Sequence, residues 1–383
     1  MRRDRRAFLR ELSVVSLAAA GCGPGSRSAA TGRSLGSGEI LVSAQGTTPD
    51  TFGLVAWGER GPPRTVGTSF RGHDVAPHPS RPHEVLLFGR RPGFETLVVD
   101  LDAGDATARL VPPRDRAFQG HGCFTRDGAT LFTSESHVES GAGRIGVWDA
   151  TTWQRLDELD AQGIGPHQIG LLPNDEALVV ANGGLLTRPE TGRRVLNLDT
   201  MDSTLVHLDP GNGRVLDVAR VREPKSSIRH FDIAPDGTVA FGMQVQRDAS
   251  GHDRVVPLAG THRRGEPVTE LEDRLDVTAV FRDYVGSVAV GSGVAGFTSP
   301  RGNVVAFWNL YQGHFIAVHE LADVCGLTAS LDGSRFIASS SIGEVRVYEA
   351  SDGAEVRAER RRDEAIAWDN HLRVLRGRER RTS

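Results

Sequence analysis

Apolar and polar residues alternate along the chain in short runs, with turn residues between them. "ATLFTSES", "RIGVWDAT", "ALVVANGG", "SRFIASSS" and "EVRVYEAS" each read as a strand of about half a dozen residues. Beyond the first twenty or so residues, no window sustains a helical period. The runs recur in a fixed order. "HGCFTRDGATLFTSESHVESGAGRIGVWDATTWQRLDELD" (121–160) reads strand, Asp-Gly turn, strand, loop, strand, turn, strand. The stretch from Cys325 to Glu359 has the same order, and those from His230 and His167 follow it, the last with a longer first turn.

The Asp-Gly turns set the register. Asp127, Asp236 and Asp332 each lie six residues after a strand head, at His121, His230 and Gly326. The heads are then His73, His121, His167, His230, about Ser287, Gly326 and His371, separated by 48, 46, 63, 57, 39 and 45 residues. Four-stranded units at this period predict an all-β fold, a seven-bladed β-propeller. Three strands in residues 40–70 precede the first head, and "AWDNHLRVL" follows the sixth unit. The N-terminal outer strands plus the C-terminal inner strand then make one blade and close the ring, which removes free sheet edges.

Topology predicts which residues share a face. First-strand heads and the loops between second and third strands open on one mouth of the channel. Those are the long loops, at 136–143, 182–203 and 244–258. Five histidines (His73, His121, His167, His230 and His371) therefore meet at one end of the axis, and neutral imidazole suits Fe, Cu or Zn. Glu135, Asp74 and Asp232 are candidate carboxylates for ligation or for orienting the imidazoles. Arg193, Arg229 and Arg301, with Glu135 and Asn182, form a candidate ligand-binding set, guanidinium being suited to small anions. A blander alternative stands beside these. In WD-repeat propellers a Gly-His pair merely bonds within its own blade, and "RGHDV" and "QGHGC" look similar. Asn182 and Asn370 also keep open a hard-cation hydrolase.

Composition narrows the classes. Forty-five glycines among 383 residues and a net charge of −4 suit many turns and give no reason to expect nucleic acid. "DRRAFLR" matches a twin-arginine export pattern, and the apolar stretch after it is too short to span a bilayer. The expected organisation is a signal peptide over 1–21, a tether over 22–38, the propeller over 39–376 and a tail over 377–383. The chain is expected to be periplasmic and monomeric. Any membrane attachment would run through a lipid on Cys22, where "AAAGC" departs from the usual lipobox leucine. Cys123 and Cys325 fall on non-adjacent blades, too far apart for a disulfide. No C-x-x-C-H occurs, so covalent c-type haem is excluded. The sequence also lacks G-x-S-x-G, a P-loop and H-E-x-x-H.

The body resembles an uncharacterised family of bacterial exported proteins, a domain of unknown function. The resemblance rests on "RGHDVAPHPSRPHEVLLFGRRPG", "GHGCFTRDGATLFTSES", "GIGPHQIGLLPN", "VVANGGLLTRPETGRRVLNLDTM", "SIRH", "YVGSVAV", "TSPRG" and "WDNHL". It spans nearly all of residues 40–375. It implies a periplasmic propeller, often encoded near iron-uptake genes such as those for imelysin-like proteins, and hence iron-handling partners; it implies no established activity. Three roles follow as expectations: a metal or iron-cofactor binder assisting iron acquisition, a redox or hydrolytic enzyme at the same mouth, and a metal-free interaction scaffold.

Overall fold

The computed structural model describes residues 38–58, 61–188, 190 and 194–377. The signal peptide, nearly all of the tether with Cys22, Arg193 and all of the tail but Gly377 lie outside the described residues.

Seven four-stranded antiparallel sheets form the ring. Blades one to six begin with the strands Gly72–Pro77, Arg116–Phe124, Pro166–Leu171, Ser226–Ile233, Ser287–Gly291 and Val324–Ala329. Each first strand contacts the first strand of the next blade, all the way round, so these strands line the axis. Blade seven takes its inner strand, Trp368–Arg376, from the C-terminal part of the chain and its other three from Glu39–Gln45, Gly53–Gly58 and Arg64–Gly67. The closing ladder pairs Ile40 with Leu375 and Ser43 with Leu372.

The turns that set the register work by a shared mechanism. Asp127 Oδ1 accepts the Ala129 N–H at 2.9 Å, and Asp236 and Asp332 accept from Thr238 and Ser334 at 3.0 Å. Gly128, Gly237 and Gly333 follow at φ 75°, 85° and 71°, a region closed to most L-residues. Blade three lacks the glycine and makes the same reversal with a longer 3₁₀ turn, Pro173–Asp175.

One apolar cluster fills each of the seven blade junctions. Between blades two and three, for example, Phe132 and Ile145 pack on Ile169, Val180 and Val206. Alternation along each strand turns apolar side chains to both faces, because each blade is sandwiched between two others. Two short helices that the sequence pattern does not announce, Arg247–Ser250 and Leu275–Val280, lie between the second strand of blade four and the first of blade five. The second buries Val277 in the junction of these blades. Cys123 and Cys325 are both free thiols, and burial pushes both upward from the usual thiol range.

Leu372 is fully buried and joins the C-terminal strand to Leu41, Val55, Ile337 and Val345. Leu372→Ala is expected to cost about 2–5 kcal/mol, read as a lower denaturant midpoint for the whole propeller. An unchanged midpoint would mean that the closing strand contributes little to the fold.

Candidate metal centre

Five of the seven inner strands bring a histidine to the axis, and a local irregularity in each ladder helps to aim it. Register shifts fall between Gly72 and Val75, Phe118 and Gly122, Pro166 and Ile169, and Ile228 and His230, and between Ser43 and Gln45 opposite His371. A bulge re-aims side chains that regular pleating would send elsewhere. Blade five pairs without such a shift and starts at Ser287; blade six has one, but Gly326 supplies no side chain there.

His73, His121, His167, His230 and His371 are all buried, at 1–3% exposure. Taken in chain order and back to His73, their ring centroids are 4.6–4.8 Å apart. Nitrogens of His73, His121, His167 and His230 lie within 4.8 Å of one another. His371 lies outside that group of nitrogens but completes the ring, its centroid 4.6 Å from that of His230 and 4.8 Å from those of His73 and His121. Packing around the ring is tight. A Cβ on Gly120, at φ 101°, would sit 2.5 Å from His73 Cδ2.

Hydrogen bonds divide the imidazoles by role. His121 Nδ1–H donates to Asp74 Oδ2 at 2.8 Å, and Arg373 Nη2 holds the same oxygen at 2.9 Å. This pairing fixes the His121 tautomer with a bare Nε2, as carboxylate–histidine–metal arrangements require. Arg229 Nη2 lies 3.3 Å from His167 Nδ1, and His167 Nε2 is 2.9 Å from His230 Nε2. With Arg229 donating, His167 carries its proton on Nε2 and gives it to His230. Its use as a ligand through Nε2 would require moving that proton. Nε2 of His73, His121 and His371 are buried without a hydrogen-bond partner. His230 Nδ1 is a fourth unpartnered nitrogen in the cluster, and Asn370 Nδ2 lies 3.5 Å from His73 Nδ1. Unpaired ring nitrogens, whether bare or protonated, are costly in a folded core.

Electrostatics keep the imidazoles neutral. Burial, followed by the charge of neighbouring imidazoles and arginines, holds His73, His167 and His230 well below the usual histidine range. Burial does the same to His371 against an opposing pull from Asp74, and it lowers His121 less because Asp74 bonds it directly. The Asp74 carboxyl lies far below its ordinary value; the Arg373 charge and the His121 bond outweigh its burial.

The other expected site residues separate. Arg229 is buried beside the cluster, and Arg301 sits at the surface with its guanidinium 4.8 Å from the Tyr284 ring. Asp232 is taken up by the backbone: its carboxylate accepts the Val290 N–H of blade five at 2.7 Å and the Ile233 N–H at 2.9 Å. Glu135 turns into blade two, where Oε1 accepts from Arg155 and from Thr133, both at 2.7 Å. Asn182 donates to the Ala161 carbonyl at 2.7 Å, bonding blade three to blade two. None of these bonds engages an axial histidine. Arg71, Arg90, Asp369 and Arg373 were not singled out in the sequence. Asp369 accepts from Arg71 at 2.6 Å, with Arg90 at 3.5 Å. The period-two register of the last strand, Asp369–His371–Arg373, was the signal for two of them.

A solved structure described as Kuenenia stuttgartiensis hydrazine synthase is similar to this chain, with a TM-score of 0.59 and 14% identity over 80% of this chain and 94% of that one. At that identity the likeness speaks for the fold. No curated protein matches the sequence. The family model described as "Protein of unknown function (DUF1513)" matches residues 66–375, which include all five axial histidines, and the chain belongs to that family.

Proposed function

We propose that this propeller is a metal-binding protein that holds one transition-metal ion among its axial imidazoles. The observation that carries the reading is the trio of buried, unpartnered Nε2 atoms on His73, His121 and His371 within a five-imidazole ring. His121, held by Asp74, is the best-prepared ligand. His73 and His371 would join it, and His167 and His230 would do so once the proton between their Nε2 atoms moves and His167 surrenders its bond to Arg229. An all-imidazole donor set suits Fe, Cu and Zn and disfavours Mg and Ca. The bound ion would supply Lewis acidity or electron transfer. The chain's own contribution is a dry, prearranged cage of neutral nitrogens.

The twin-arginine pattern supports a periplasmic setting for this binding, and the resemblance described above supports a part in iron acquisition beside iron-handling partners. A redox role is the second reading. It is favoured by the small heads Ser287 and Gly326, which leave the side of the ring at blades five and six without an imidazole. Peroxide turnover by the loaded protein, absent from the double variant below, would support it.

Full-length protein exposed separately to Fe(II), Cu(II) and Zn(II) and then dialysed is expected to retain at least one of them. The variant His121→Ala/His230→Ala should retain one equivalent per chain less. Equal retention by both proteins sinks the reading.

The lowered imidazole pKa values give two different pH responses. In the folded protein the rings stay neutral below pH 6.5, so metal affinity should change little between pH 7.5 and 6. The unfolded chain takes up protons below about 6.5. Stability of the metal-free protein is therefore fully present above that value and should fall as pH drops, by up to about 1.4 kcal/mol per pH unit for each depressed imidazole. Denaturant titrations at pH 7.5, 6.5 and 5.5 measure it. A flat stability profile would show that the histidines titrate normally in the fold.

A further inference from the structure

The geometry points to a second metal site, remote from the axis, formed by His207, Asp217 and His262 where blades three and four meet. It goes beyond the axial reading and does not depend on it. His207 lies on the third strand of blade three, Thr204–Leu208, and its cross-strand partner is Asp217 on the outer strand, Val215–Ala219. His262 ends the third strand of blade four, Ala259–His262. Third strands run parallel to first strands, so both histidines lie near the end of the ring opposite the axial mouth.

His207 Nε2 is 3.2 Å from His262 Nδ1, and His262 Nε2 is 3.4 Å from Asp217 Oδ2. One donor atom from each residue lies within 4.8 Å of the others. Two nitrogens bound at about 2.0–2.1 Å to one tetrahedral zinc stand about 3.3 Å apart, close to the imidazole spacing seen here. Both rings are buried, at 0% and 2% exposure, while the Asp217 carboxylate is part-exposed. His207 Nδ1 is buried without a hydrogen-bond partner.

Other histidines between blades are used differently. His78 Nε2 meets the Gly128 carbonyl at 3.1 Å, and His319 Nε2 meets the Gly353 carbonyl at 2.7 Å. Each is a pin from one ring to one backbone acceptor. At the junction of blades three and four, imidazole meets imidazole beside a carboxylate. A groove of about 550 Å³ reaches this point, lined by Asp217, His262, Glu266 and Glu270 with Arg220 and Arg222 on its rim. Arg222 is already paired with Glu270 and Glu272, and Arg220 with Asp202. Glu266 and Glu270 add carboxylates to the groove lining beside Asp217. Two imidazoles, one carboxylate and an approach from solvent make a three-ligand site with a position left for water, suited to Zn2+.

The test is zinc bound per chain after loading and gel filtration, for wild type, Asp217→Asn and His207→Ala. The amide introduced by Asp217→Asn can still accept the Gly265 N–H that Asp217 accepts at 2.7 Å, so the fold should survive that change. Each variant should bind one equivalent less than wild type, and His121→Ala/His230→Ala should keep this equivalent. If the axial centre takes no zinc, the count falls from one to zero instead of from two to one, so the two readings fail separately. Full zinc retention by a folded Asp217→Asn variant would reduce the trio to a hydrogen-bonded pin between blades and overturn the proposal. Should His207→Ala unfold, Asp217→Asn alone decides.

Discussion

The antiparallel ladder between Glu39–Gln45 and Trp368–Arg376 joins segments more than three hundred residues apart, and the closure of the ring depends on it. Without it the ring would expose two unpaired inner edges and the apolar faces of two blades, which sheet proteins must cover or pair. With it, seven equivalent junctions each bury one apolar cluster, and the inner strands converge closely enough for side chains from different blades to touch across the axis. The axial histidines are a product of that closure. No single blade holds two of them.

Placing five imidazoles on one axis carries a cost that the surrounding residues only partly offset. Protonation would set like charges 4.6–4.8 Å apart in a dry channel, so the rings remain neutral. Neutral rings still have nitrogens that need partners. Asp74, itself held by Arg373, satisfies one side of His121, and Arg229 satisfies one side of His167, yet three Nε2 atoms stay unsatisfied. Such a deficit calls for a physical explanation, and a transition ion held among the neutral nitrogens would relieve it. Arg229 and Asp74 hold their two histidines in opposite tautomers, so the ring is polarised from one blade to the next.

Much of the architecture could be read in advance because its signals are local. Asp127-Gly128, Asp236-Gly237 and Asp332-Gly333 mark equivalent turns, and counting back from each leads to the strand heads. The convergence of His73, His121, His167, His230 and His371 follows from topology alone. Face parity did not. Glu135 and Asn182 sit near the mouth along their strands, but their side chains are engaged by Arg155 and by the Ala161 carbonyl within the blades. The His207–His262 contact was less accessible still. The two residues are 55 apart on third strands of different blades, and only the packing of one blade on the next brings them together. The bulges that aim the axial histidines likewise left no recognisable mark in the alternation of apolar residues.

His371 differs from its four companions in when it becomes available. Of the propeller's strands, its own is the last to leave the ribosome, and it docks against the first to emerge. A chain interrupted before that strand carries four of the imidazoles but lacks the fifth and the edge partner for Glu39–Gln45. The complete ring of five imidazoles therefore exists only in a propeller synthesised through its last strand and shut into a ring.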